Sequence, residues 1–352
     1  MKILHTSDLH LNSKMNSKLG PEKSKERKRE LLLNFRKMTE IAKREDCSAF
    51  IIAGDLFDTE KISASVKKNV LDIISTAKSL TFLYLPGNHE KDAITEEELP
   101  ENLRIFGSDW SYFTISGVAF AGRRETEPYM FQTLKKPENA EKLIAVLHGE
   151  LADKSDRNGK IGEKELKNTE IDYLALGHYH SFSEHEFDRA RFAVYSGTPE
   201  GRGFDETGDC GYVIIDVGEN VNFSFQKSLG RRLLNKEIDI TAVGSSAELC
   251  EKILHACHDI PKSDLVRATL VGGRSPETKL DVDYAEKRLG EEFYYFEIKD
   301  SSHLSVSHED YINDKSLKGE FIRLVLLDES LSDKEKNDII SMGISALMGE
   351  SI

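Results

Sequence analysis

Cysteine is scarce in this chain. The four present in 352 residues, Cys47, Cys210, Cys250 and Cys257, show no CxxC spacing. That excludes a disulfide framework and a thiolate metal site, and leaves buried free thiols in a reducing compartment as the expectation. Long apolar runs are missing too. Nothing approaches the roughly 18 consecutive apolar residues of a membrane span, so no membrane association is expected. The opening MKILHTSDLH passes from a short apolar stretch straight into polar residues. Without an h-region or a small-residue cleavage site, no secretory leader is expected, and the cytoplasm is the expected location. Internal repeats, low-complexity tracts and long linkers are also lacking. So is an excess of positive charge, since Lys and Arg number 48 against 62 Asp and Glu, a formal net charge of −14. Phosphate backbones repel such a chain as a whole, so any polyanion would have to meet locally concentrated cations. The densest basic stretch is Lys14, Lys18, Lys23, Lys25, Arg27, Lys28 and Arg29.

What is present is an ordinary globular balance of 39% hydrophobic and 31% charged residues. It suffices for one large domain and a smaller one. Strand-like runs alternate with helical ones from the start. KILHTSD precedes a helix expected near Lys28–Arg44, then come AFIIAGD, a helix at Ser63–Ser79 and TFLYLPGNHE. Nearly continuous apolar runs such as FIIAG suit strands covered on both faces. VAFAGR, LIAVLHGE, YLALGHYH, FAVYSGTP and GYVIIDV follow as strands with fewer helices between them. The expected fold is α/β, a two-sheet sandwich with flanking helices over residues 1–230. A second, smaller α/β domain over 231–330 contains KEIDI, a helix at Ala247–Ala256, DLVRATLVG, a helix at Val282–Phe293 and YYFEIKD. EFIRLVLLD and a helical segment within 331–352 come after it.

Five polar motifs sit where apolar strands run out into loops. They are Asp8-Leu9-His10, Gly54-Asp55-Leu56-Phe57-Asp58, Gly87-Asn88-His89-Glu90, His148-Gly149 and Gly177-His178-Tyr179-His180. Strand ends of an α/β sheet face a common crevice, so these residues can converge. Pairs such as Asp8 and His10, or His178 and His180, point the same way if their segments are extended. The donor set is oxygen and imidazole, which suits manganese, iron or zinc. Two dications against Asp8 and Asp55 leave a charge of about +2 to meet a phosphate and a hydroxide nucleophile. Any one motif is weak, and the five in order are specific. His5, inside the first strand, reads as a hydrogen-bonded core residue.

The series DLH, GDLFD, GNHE, HG and GHYH resembles the calcineurin-like metallophosphoesterase superfamily. HTSDLHL, AGDLFDT and YSGTPEGRGFDETG are further similar to the SbcD-type DNA repair exonucleases and the related YhaO-type proteins of bacteria. The likeness covers residues 1–230 well and the rest more loosely. It implies two divalent metal ions, with Asp8, His10 and His180 on one, Asn88, His148 and His178 on the other, and Asp55 bridging. His89 would steady the phosphate or protonate the leaving oxygen. Asp58 either orients a ligand from behind or caps the helix that follows. The smaller domain would act as a cap.

The resemblance also implies DNA as substrate, with Lys23, Lys25, Lys28 and Arg29 either contacting its backbone or forming a solvated loop and helix start. It leaves room for a homodimer and for an SMC-type coiled-coil ATPase as partner. Only about twenty residues follow LVLLD, however, where those nucleases use a longer segment to dock the ATPase. GISALMG reads as a last packed helix. The sequence therefore supports a metal-dependent DNA nuclease first and a phosphodiesterase or phosphatase for small esters second. A non-catalytic binding role is disfavoured by the complete ligand set.

Overall fold

The computed structural model describes residues 1–15, 18–59, 62–87, 90, 94, 99–228, 230–275, 278, 280–305 and 314–347. The chain divides into two compact units, Met1–Arg232 and Leu233–Ile352. The first begins with β1 (Lys2–Thr6), α1 (Pro21–Arg44), β2 (Cys47–Ala53), α2 (Ala64–Thr76), β3 (Thr81–Leu85) and β4 (Leu103–Ile105). β5 (Ser111–Ile115), β6 (Val118–Gly122), β7 (Lys142–His148), β8 (Glu150–Ala152) and β9 (Lys160–Gly162) follow. It closes with α3 (Glu163–Leu166), β10 (Tyr173–Gly177), β11 (Ser183–Asp188), β12 (Arg191–Tyr195), β13 (Gly211–Val217) and β14 (Val221–Lys227).

These strands make two six-stranded sheets, ordered β14-β13-β1-β2-β3-β4 and β11-β12-β10-β7-β6-β5. β1 to β4 run parallel, as do β6, β7, β10 and β12, and antiparallel strands close the β14 side of one sheet and both margins of the other. The two-residue period decides the layers. On β2, Phe50 and Ile52 face α1 and α2, where Leu31, Phe35, Met38, Val70 and Ile74 cover them. Ala49, Ile51 and Ala53 face the other sheet and meet Phe120, Ile144, Val146 and Val194. A third layer, with Leu143, Leu174 and Leu176, packs under Met130, Phe131, Leu166 and Ile171. The fold is thus a mixed α/β sandwich of two sheets with outer helices.

Three local readings change. Helix α1 starts at Pro21, seven residues before the expected start, with proline at its first turn, where no N–H partner is lost. The basic stretch from Lys23 to Arg29 is therefore helical, and Arg27 lies on its buried stripe, four residues before Leu31. Arg27 is fully buried, donating to the carboxylates of Glu30 and Glu200 and to the Gly201 carbonyl. The cap of α2 is Ser63, whose hydroxyl accepts the Val66 N–H at 3.3 Å, so Asp58 does not cap it. His5 is buried as read, its ring nitrogens 3.1 Å from the Tyr173 hydroxyl and 3.2 Å from the Leu176 carbonyl.

The second unit holds a three-stranded parallel sheet of Leu233–Asp239, Leu265–Val271 and Tyr295–Asp300. Helices Ser246–Ala256 and Val282–Leu289 bury Leu249, Ile253, Ala285 and Leu289 with Val266, Leu270 and Phe296 of that sheet. The EFIRLVLLD segment lies largely in a helix, Leu317–Leu327, packed with Asp333–Leu347 around Ile322, Ile340 and Ile344. Among the described residues no helix is long and apolar enough to cross a membrane.

Candidate metal centre

Parallel strands bring their C-terminal ends to one edge of the sandwich, and the polar motifs follow there. Beyond β1 and β2 the loops keep pairing: Asp8, His10 and Leu11 donate their N–H groups to Gly54, Asp55 and Leu56 carbonyls at 3.0, 2.9 and 2.9 Å. Convergence does not come from extended alternation, because Asp8, His10, Asp55 and His178 all have positive φ, at 52°, 43°, 51° and 106°. Four non-glycine residues in the left-handed region mark a strained loop set that the surrounding pairing must hold. Glycine is needed beside them: a Cβ on Gly87 would stand 1.9 Å from the Asp55 carboxylate, and one on Gly54 would stand 2.0 Å from the His148 ring.

Asp8, His10 and His180 each offer a donor atom within 4.8 Å of one another, and so do Asp8, Asp55 and His148. Asp55 Oδ2 lies 3.6 Å from His10 Nε2 and 3.5 Å from His148 Nε2, so one carboxylate oxygen faces both groups. His178 is not in either group, yet its ring centroid is 5.4 Å from that of His148, and its N–H donates to both Asp8 carboxylate oxygens. Asn88 and His89 lie outside the described residues. Lys23, Lys25 and Arg29 are exposed on α1, and Lys28 is half-buried there.

The imidazoles are oriented from behind, as ligands are. His148 Nδ1 is 3.0 Å from the Ala53 carbonyl, which fixes it as donor and turns a bare Nε2 inward. That Nε2 is buried and hydrogen-bonds to nothing among the described residues. His10 Nδ1 is 3.3 Å from Asp58, and His180 Nδ1 is 2.8 Å from Glu206. The donors present thus fit divalent cations: buried oxygen and imidazole, lone pairs turned to one place, no thiolate.

Motif reading missed three residues. Arg202, in the YSGTPEGRGF segment, holds Asp58 at 3.0 Å and grips the Glu206 carboxylate, including through its Nε at 3.1 Å. One guanidinium thereby steadies the carboxylates behind both His10 and His180. Glu90, the last letter of GNHE, is fully buried and accepts the Leu56 and Phe57 N–H groups, bracing the Asp55 loop. All three lie inside motifs, Glu90 in GNHE and Arg202 and Glu206 in YSGTPEGRGFDETG, but nothing local shows that Glu206 would stand behind His180, 26 residues earlier in the chain.

Charge state follows from these contacts. Burial lowers the affinity of His178 for a proton, and neighbouring His148 adds to this. The Glu206 bond raises that of His180 against its burial. Burial opposes ionisation of Glu206, but His180 and Arg202 hold it down at about 2. Burial pushes Glu90 up to about 8, and the Asp55 charge contributes.

This fold and site define a metal-dependent phosphoester hydrolase: the chain belongs to the calcineurin-like phosphoesterase family, whose profile matches residues 1–182. Among particular relatives, it is 25% identical over 303 residues to the uncharacterized metallophosphoesterase YhaO of Bacillus subtilis, covering 80% of this chain and 74% of that one. It is 25% identical over 245 residues to the DNA double-strand break repair protein Mre11 of Methanosarcina acetivorans, covering 64% of this chain and 38% of that protein. It is 30% identical over 113 residues to the SbcD component of the nuclease SbcCD of Staphylococcus saprophyticus, covering 31% of this chain and 26% of that one.

Proposed function

We propose that the protein is a two-metal DNA nuclease of DNA repair, acting in the cytoplasm with manganese as its working ion and iron or zinc as substitutes. The observation that carries the two-metal reading is the Asp55 oxygen facing His10 on one side and His148 on the other. Asp8, His10 and His180 would hold one ion, and Asn88, His148 and His178 the other. Bound there, the pair supplies Lewis-acid polarisation of a phosphoryl oxygen and a nucleophile at neutral pH. Asp8 and Asp55, both buried, offset only part of the cationic charge, so the site attracts phosphate. His89 would steady the phosphate or protonate the leaving oxygen. Arg202 keeps the His10 and His180 rings in place through Asp58 and Glu206. DNA as substrate is supported by the repair protein and nuclease among the relatives. A small phosphate ester is the second reading, favoured by the net charge of −14. The smaller unit as a cap, an SMC-type ATPase partner and a homodimer belong to the nuclease reading.

The test is to incubate purified protein and manganese with single-stranded DNA, duplex DNA and a chromogenic phosphodiester. Cleavage of DNA, stopped by EDTA, is expected; turnover of the chromogenic ester alone would favour the second reading. Replacing Lys23, Lys25, Lys28 and Arg29 by Ala should weaken DNA cleavage and flatten its salt dependence, since fewer counterions are released. Equal loss on DNA and chromogenic ester would mean a folding defect instead.

Arg202→Gln removes the charge that holds Asp58 and Glu206. Metal affinity is expected to fall about 10–100-fold, as when the partners behind ligands are lost elsewhere. Calorimetric titration with manganese reads this directly, and unaltered affinity would remove Arg202 from the positioning role.

A further inference from the structure

A cleft of about 670 Å³ shares His148 with the metal-facing donors, and its other lining residues lie outside that set. One wall is residues 123–127, just past the end of β6, and the other is Arg157, Asn158 and Gly159, in the turn before β9. The walls are tied together, because the Gly159 N–H donates to Thr126 Oγ1 at 3.0 Å. Three arginines and two glutamates line it, a local excess of positive charge on a chain whose net charge is −14.

The three arginines divide the work. Arg123 is buried and committed: its Nε donates to the Glu125 carbonyl at 2.6 Å, and its Nη2 pairs with Glu127 at 2.6 Å and Asp109 at 3.4 Å. It braces the wall and uses up the charge of Glu127. Arg124 donates to Ser108 Oγ at 2.9 Å and stands 3.9 Å from Glu125. Arg157 is exposed and makes no hydrogen bond or ion pair among the described residues. Its guanidinium is therefore available to a ligand in the cleft.

Among the described residues no Phe, Tyr or Trp lines the cleft, and the one ring there, His148, is turned to the metal-facing group, so the cleft is built for charge and not for base stacking. Its chemistry suits a phosphate group, which guanidinium recognises through paired N–H donors. One end is His148, where the phosphoryl group undergoing attack would bind. A ligand that occupies both ends carries two separated anionic groups.

We propose that this cleft binds a phosphate of the polynucleotide backbone next to the one being cleaved, with Arg157 as its main cation. The proposal rests on the reading of the substrate as DNA. The contact is to the backbone and so is independent of base sequence. It accounts for how an acidic chain holds a polyanion: the positive charge sits where a neighbouring phosphate must pass.

The test uses inhibition of chromogenic phosphodiester hydrolysis by manganese-loaded protein, with short oligo-dT and inorganic phosphate as separate competitors. For Arg157→Gln, the ratio of the oligo-dT inhibition constant to that for phosphate should rise on the order of tenfold, because phosphate reaches only the metal end. The log–log salt slope for oligo-dT should fall by about 0.7, the share of one single-strand phosphate. Arg157→Lys should recover most of the loss, since a cation remains. A constant ratio overturns the proposal, whether both inhibition constants rise together or neither moves. The DNA reading is judged separately on the wild type: single-stranded and duplex DNA both left intact after incubation would sink that reading, while the ratio still decides the cleft.

Discussion

Asp55→Ala is expected to bind far less than the two metal equivalents of the wild type and to lose hydrolysis by a factor on the order of 10³–10⁴. That is the rate equivalent of several kcal/mol of charge stabilisation. Asp55 is buried, and its Oδ2 faces both His10 and His148. Elemental analysis after manganese loading and dialysis reads the stoichiometry. A thermal melt separates metal loss from misfolding. In EDTA the variant should still melt cooperatively near the wild type, because removing the Asp55 charge relieves its repulsion of the buried neighbour Glu90. Manganese should raise the wild-type melting temperature and leave that of the variant nearly unmoved, as a ligand stabilises only the state that binds it. Two equivalents retained by Asp55→Ala would end the bridging role.

His89→Ala is expected to do the reverse. Metal content should stay near two equivalents while turnover falls by about 10²–10⁴, the range for loss of a proton-transfer group. The residue lies outside the described part of the structure, and its role rests on its place beside Asn88 in the GNHE motif. A substrate with a better leaving group, such as a nitrophenyl diester, should be less affected than DNA, because its departing oxygen needs no proton. Loss of metal from His89→Ala as readily as from Asp55→Ala would reverse the division of labour between the two residues.

Much of the site was legible because its determinants are local. Each motif follows an apolar run, and a strand ending in glycine and a polar residue can be read within about ten residues. Arg27 shows the opposite case. In the sequence it stands in a basic run and reads as solvated, yet it continues the stripe of Leu31, Phe35 and Met38 and is fully buried. The cause is the helix start: a helix beginning at Lys28 gives Arg27 no helical face to share, whereas α1 begins at Pro21. For Asp58 the sequence allows two roles, and tertiary contacts separate them: Ser63 caps α2, while Arg202 and His10 are the neighbours of Asp58.

By itself the sequence determined the strand-and-helix alternation of the first unit, the two-sheet α/β class and the set of oxygen and imidazole donors at strand ends. Hydrophobic periodicity and turn chemistry act over a few residues, so one chain suffices to read them. Tertiary structure alone decided which charges meet. Arg202 finds Asp58 across 144 residues of chain, and Arg27 finds Glu200 across 173. It also decided that the ligand loops turn through left-handed backbone instead of running extended, because pairing between the β1 and β2 loops fixes their path. A buried charge must be compensated wherever topology places its partner, and local sequence does not encode that placement.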